Sequence, residues 1–187
     1  MKKQSIKTHL RKYSIVQKRI TTINHAFASA IAPNDDYSEN KIHEAIKLLG
    51  QEPDGNLLCF YCDKPAETWD HVYGLVKDNQ YYGYGHVMGN LLPSCKKCNS
   101  EKGNQGWESF INKKVLDSKV RNNKISALKK YLKKFLPKRH GYEEIKEICS
   151  NEVAQYEKIK KEIVQKMTEA DFVAEEIRKK IKQDRNT

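Results

Sequence analysis

Two Cys-x-x-Cys hooks, Cys59 with Cys62 and Cys95 with Cys98, constrain this chain more than any other feature. Each hook can present both sulfurs to one tetrahedral zinc ion, and the two together tie distant segments to a common point. Residues 63 to 94, between the hooks, are more than a simple zinc ribbon needs, which leaves room for a functional hairpin. A four-thiolate site is closed, with no open position for water, so zinc there braces a fold and does not catalyse. A redox pair or unrelated thiols are the competing readings of such spacing. Cys149, the fifth cysteine, stands at helical spacing from Ile145 and reads as a core residue.

Catalysis, if present, must come from what the hooks enclose. Between Thr68 and Val76 lies an expected strand carrying Trp69, Asp70 and His71. Neighbouring strand positions point to opposite faces, so Asp70 and His71 are expected to do different jobs. A carboxylate is a hard oxygen ligand suited to Mg²⁺, whereas an imidazole is a base that titrates near working pH. Alone, Asp-His more often marks an ordinary hydrogen-bonded histidine than a catalyst. Next comes a Tyr- and Gly-rich stretch, Asn79 to Gly85, which reads either as a loop laid on DNA or as a surface turn packed on its own aromatics. His86 follows it, with a structural or DNA-contact role favoured over a place in the site.

The rest of the chain reads as helical. Ile6, Leu10, Tyr13, Ile20, Ile23 and Phe27 fit one face of a helix from about Ser5 to Ile31, stopped by Pro33. A second helix is capped by Ser38 and ended by Gly50. The spacing of Trp107, Phe110 and Ile111 predicts a helix from Asn99 to about Lys114. Ile125, Leu128, Leu132 and Phe135 make another stripe, and a last helix is expected from about Tyr142 to Ile181. Its apolar positions alternate by three and four, as packing on another helix requires, whether by docking on its own domain or by pairing two copies.

Thirty-five Lys and Arg against 24 Asp and Glu leave a formal charge of +11, which favours a polyanionic partner, nucleic acid first; lysine-rich solubility is the plainer alternative. The basic residues of the first helix suit phosphate contact or a solvated face equally. No apolar run approaches the roughly 20 residues of a membrane span. Met1-Lys2-Lys3 opens like a signal peptide, but charges at Arg11 and Lys12 arrive before any apolar segment. The expected setting is therefore the cytoplasm, where paired thiols hold metal more often than they form disulfides.

Taken in order, Cys-x-x-Cys, Asp70-His71, Asn90-Leu91-Leu92 and Cys95-x-x-Cys98-Asn99-x-x-Lys102 resemble the signature of HNH endonucleases, in the form with zinc hooks and Asn at the third position. The resemblance covers about residues 56 to 112. More loosely, Ile23 to Pro33 and Leu49-Gly50-Gln51 resemble stand-alone bacterial HNH nucleases of restriction type. The resemblance implies a ββα-metal, zinc-braced core at 56–114; with the basic helical region read at 1–55 and the basic helical extension read at 115–187, the expected fold is α+β. It implies a Mg²⁺-dependent DNA endonuclease, with Mn²⁺ able to substitute, acting in restriction or defence. His71 would be the general base, Asp70 and Asn99 the magnesium ligands, and Asn90 the brace of the loop that orients His71. Lys102, with Lys96 and Lys97, would meet DNA, and the final helix could pair two subunits. The alternative is a zinc-containing nucleic-acid-binding module without catalysis, for which charge and cysteines suffice.

Overall fold

A computed structural model of the chain describes residues 3–185; the Met1-Lys2 start of the signal-like opening lies outside them. Along the described residues run α1 (Ile6–His9), α2 (Ile15–Ala30), α3 (Glu39–Leu48), β1 (Thr68–His71), β2 (Val76–Lys77) and β3 (Gln80–Tyr81). A 3₁₀ turn, Met88–Asn90, leads into β4 (Leu91–Ser94), followed by α4 (Lys96–Lys102), α5 (Trp107–Lys114), α6 (Ser118–Phe135), α7 (Tyr142–Ile148) and α8 (Ser150–Asp184). Helices with two small antiparallel sheets make the fold α+β, as expected. Residues 28–144 form one unit, and the segments up to Phe27 and from Ile145 onward form the other.

In the 28–144 unit, β1 pairs antiparallel with β4, placing Asp70 opposite Leu92 and His71 opposite Leu91. Asp70 and Leu92 are buried, whereas Trp69 and His71, on the alternate positions, are not. Strand alternation thus sends the acid inward and the histidine outward. β4 passes through Cys95 straight into α4, which lies against β1. Tyr61, Leu92, Phe110, Ile111, Leu128 and Tyr131 share one buried core, with Tyr61 and Phe110 packed edge-on at 5.0 Å between centroids. α6 joins this core through a stripe repeating at three and four; Asp117 caps its first turn by accepting from the Val120 amide at 2.8 Å.

Three expected helices are interrupted, each for a local reason. The helix predicted from Asn99 to Lys114 ends at Lys102, because Gly103 adopts φ +47° and Gly106 is extended as the cap of α5. A left-handed residue costs glycine little, so the Gly103 to Gly106 segment turns rather than continues. The last helix breaks at Cys149, whose φ of −128° and ψ of 49° leave the helical region and start α8 afresh. The first breaks before Ile15, where Ser14 Oγ accepts from the Gln17 amide at 3.2 Å.

That third break is reinforced within the second unit. The carboxylate of Asp171, on α8, accepts from the Ile15 and Val16 amides at 2.7 and 3.2 Å and from Ser14 Oγ at 2.7 Å. It supplies acceptors that the first turn of α2 lacks within its own helix. The Ile15 amide and the Ser14 hydroxyl hold Asp171 below its usual pKa. A depressed carboxylate contributes stability that is present above its unfolded pKa and lost as pH falls through the folded value. Asp171→Asn is therefore expected to lower the melting temperature at neutral pH and to flatten its fall below about pH 4. Parallel acid-melting curves for variant and wild type would refute the capping role. Phe27 and Tyr156 also meet in this unit, at 4.8 Å between centroids, with the Tyr156 hydroxyl donating to the Phe27 carbonyl at 3.0 Å. The predicted stripe on α8 stays largely open: Ile159, Ile163, Ile177 and Ile181 are all exposed.

Candidate functional site

The four hook sulfurs lie within 4.8 Å of one another, and Cys62 Sγ is 3.8 Å from Cys95 Sγ. A regular tetrahedron around zinc with 2.3 Å arms has edges of about 3.8 Å, so this set fits the ion. Among the described residues it is the one cluster of His, Cys, Asp or Glu ligand atoms close enough to hold a metal. Local turns aim the sulfurs. After the first hook, Asp63 takes φ +58° and the Cys62 and Asp63 amides donate to the Cys59 carbonyl. At the second, Cys95 caps α4 and its Sγ accepts from the Cys98 amide at 3.4 Å. Burial raises the thiol pKa values at Cys62 and Cys98. At Cys59 burial also acts upward, but backbone groups at Cys95, Tyr61 and Cys62 outweigh it and bring the thiol down to about 7.

Across the β1–α4 seam, Asp70 is 4% exposed and Lys102 2%. The Tyr61 hydroxyl donates to Asp70 Oδ2 at 2.5 Å, and Lys102 Nζ lies 3.3 Å from Oδ1 and 3.2 Å from Oδ2. Lys102 also donates to the His71 carbonyl at 2.7 Å. Burial pushes the Asp70 carboxyl above its usual range, against the opposing pull of Tyr61 and Lys102. Burial and the neighbouring Asp70 charge drive Tyr61 far upward, so it stays a hydroxyl donor. Lys102, expected at the phosphate, is here the buried counter-ion of Asp70. Lys96 and Lys97 remain exposed, near Glu67 and Glu101.

One helical turn before Lys102, Asn99 is half-buried and donates through its side chain to the Trp69 carbonyl at 3.4 Å. Its amide oxygen is then the atom left for a cation. Asp70 and Asn99 supply oxygen ligands of the kind Mg²⁺ accepts; Asp70 Oδ1 keeps a lone pair beyond its Lys102 contact, whereas Oδ2 is taken by Tyr61 and Lys102. A hard divalent ion at this pair would have to share Asp70 with the Lys102 ammonium or displace it.

His71 faces His86: Nε2 of the first lies 3.1 Å from Nδ1 of the second, with the rings edge-on. Burial first, then the charges of His86 and Lys102, lower His71 to about 4, so its imidazole is neutral at neutral pH. Asn90, fully buried, clasps the intervening loop at both ends. Its Oδ1 accepts from the Tyr73 amide at 2.8 Å, and its Nδ2 donates to the Tyr73 and Gly85 carbonyls at 3.0 Å each. The loop tyrosines pack on one another, Tyr73 stacking on Tyr84 at 4.4 Å, and Arg139 donates to the Tyr82 carbonyl. Of the two readings open for this loop, that contact pattern is the self-packed turn.

Three features escape a reading of the sequence: Tyr61 as donor to Asp70, the burial of Lys102, and the approach of His86 to His71. Only the last had a local signal, a second histidine within the loop. Compared with known proteins, the chain matches no family model, no curated protein and no solved structure. Among the described residues, no helix is long and apolar enough to cross a membrane.

Proposed function

We propose that this chain is a zinc-braced, Mg²⁺-dependent DNA endonuclease of the HNH kind, working in bacterial restriction or defence in a reducing cytoplasm. The observation that carries the reading is the seam itself. Residues of the HNH-like signature line the β1–α4 seam beside the clustered sulfurs: Asp70 and His71 end β1, Asn99 on α4 bonds the Trp69 carbonyl next to them, and Asn90 clasps the loop that follows His71.

In this reading the cysteines Cys59, Cys62, Cys95 and Cys98 hold zinc for architecture, and Asp70 with Asn99 would hold the magnesium. Such an ion supplies charge stabilisation to the phosphorane and to the departing oxygen. Neutral His71 accepts the proton of the attacking water, a contribution of roughly 10²- to 10⁴-fold. Asn90 fixes the loop, and Lys102 neutralises Asp70 from within the core. The net positive charge draws in the polyanion, and the exposed isoleucines of α8 are the face on which two copies would pair to cut both strands.

Supercoiled plasmid incubated with the purified protein and Mg²⁺ or Mn²⁺ should be nicked or linearised, and EDTA should stop it. His71→Ala is expected to lose about two to four decades of rate while keeping its zinc and melting temperature. Intact plasmid across several sequences and both metals would leave the non-catalytic zinc module as the surviving reading, and a fully active His71→Ala would remove that residue from the mechanism.

A further inference from the structure

Resting on the nuclease reading, we infer that His86 is the positioning residue of His71: its Nδ1 accepts the proton-bearing Nε2 of His71, so that His71 Nδ1 keeps the lone pair that takes the proton from water. A chance neighbour on a loose loop would not carry this, but the backbone of His86 is tied on both sides. Its amide donates to the Pro33 carbonyl at 2.8 Å, its carbonyl accepts from the Asp35 amide at 3.3 Å, and two residues on, the Met88 amide donates to Asp35 Oδ2 at 2.8 Å. Gly85, just before it, is clasped by Asn90 and pressed so closely on Pro33 that a β-carbon there would lie 2.0 Å from the Pro33 oxygen. The 33–35 strap and the Asn90 clasp therefore fix the backbone from which the His86 ring reaches His71.

A neutral imidazole has one donor nitrogen and one acceptor, so the contact at 3.1 Å admits two arrangements. If His86 donated, His71 would carry its proton on Nδ1 and spend its only lone pair on His86. Its base function would be gone. If His86 accepts, the lone pair of His71 Nδ1 is free, and among the described residues no hydrogen bond engages that atom. On attack, the water O–H bond breaks, its proton joins His71 Nδ1 and its electron pair forms the new O–P bond. The P–O bond to the leaving oxygen breaks and that oxygen keeps the pair. The imidazolium left behind still donates from Nε2 to His86. This is the logic by which a third group fixes the tautomer of a catalytic histidine and steadies its charged form. Here a second imidazole, carried on the loop, fills that place.

The experiment uses the full chain with ¹⁵N-labelled histidine and long-range ¹H–¹⁵N spectra at neutral pH, alongside plasmid cleavage by wild type, His86→Ala, His86→Asn and His86→Gln. Asn sets a polar atom the same number of bonds from the backbone as His Nδ1, and Gln sets it one bond further. Expected are a His71 protonated on Nε2 in wild type, a mixed tautomer in His86→Ala, and a kcat about 10- to 100-fold lower with KM unchanged. His86→Asn should recover most of the rate and His86→Gln should not. A wild-type His71 protonated on Nδ1, or a His86→Ala as fast as wild type, overturns the assignment. Should His86→Ala lose its fold by melting, the Asn and Gln variants decide, since equal rates in those two also overturn it. Absence of cleavage by wild type overturns the nuclease reading instead, and the tautomer measured in that same sample still decides whether His86 accepts from His71.

Discussion

Cys95→Ser is expected to cost this protein both its metal and the fold of residues 28–144. Cys95 has two structural duties: its sulfur is one of four within 4.8 Å, and the same sulfur caps α4 by accepting from the Cys98 amide. Serine offers a poor zinc ligand in place of a thiolate. Because structural zinc sites do not preform in an unfolded chain, their binding energy is folding energy, about 10–16 kcal/mol in small zinc modules. That matches or exceeds the 5–15 kcal/mol of net stability typical of a domain. The cysteines also lie in the same core as Tyr61, Leu92 and Phe110, so their release disturbs more than a surface loop. Wild type should contain one zinc per chain by elemental analysis, a strong chelator should reproduce the variant's loss of far-UV and near-UV signal, and added zinc should reverse it. An unchanged melting temperature in Cys95→Ser would sink the structural assignment.

Lys102→Met should be the most damaging substitution outside the hooks, at about 3–5 kcal/mol. Methionine fills the volume but leaves the Asp70 carboxylate inside the protein with Tyr61 as its remaining donor. A buried charge stripped of its partner is costly, whereas a pair removed together is often nearly neutral. The double variant Asp70→Asn with Lys102→Met is accordingly expected to regain a large part of the loss in urea unfolding, giving a coupling energy well above the scatter of independent sites. Additive losses, or a single variant as stable as wild type, would show that the ammonium is not the counter-ion of Asp70. For a protein read as a nuclease the point matters, since Asp70 is then a ligand that already has an internal cation beside it before any metal arrives.

What the sequence disclosed and what it withheld divide along physical lines. The hooks were legible because Cys-x-x-Cys is a local geometry, closed by a turn at Asp63 and by the first turn of α4. That Asp70 and His71 face opposite ways followed from strand alternation, though not which of them points inward, and the α6 stripe followed from helical spacing. Partners across the chain were not legible. Lys102 stands 32 positions from Asp70 and His86 stands 15 from His71, joined by a loop whose path depends on the 33–35 strap. The break before Ile15 was equally hidden, because Asp171 that secures it lies on another helix. Gly103 and Gly106 were visible, yet the apolar spacing across them pointed to one helix where the backbone makes two.

α6 bears on how this protein can be handled. Its Leu128, Tyr131 and Leu132 lie in the same core as the hooks, the Tyr131 hydroxyl donates to the Leu91 and Met88 carbonyls, and Lys124 donates to the Phe60 carbonyl and to Asp63 beside the first hook. A fragment trimmed after Lys114 to isolate the signature residues would therefore expose the underside of β4 and unseat the first knuckle. Expressed alone it should be insoluble, and attempts to graft this centre onto another scaffold must carry the chain as far as Phe135.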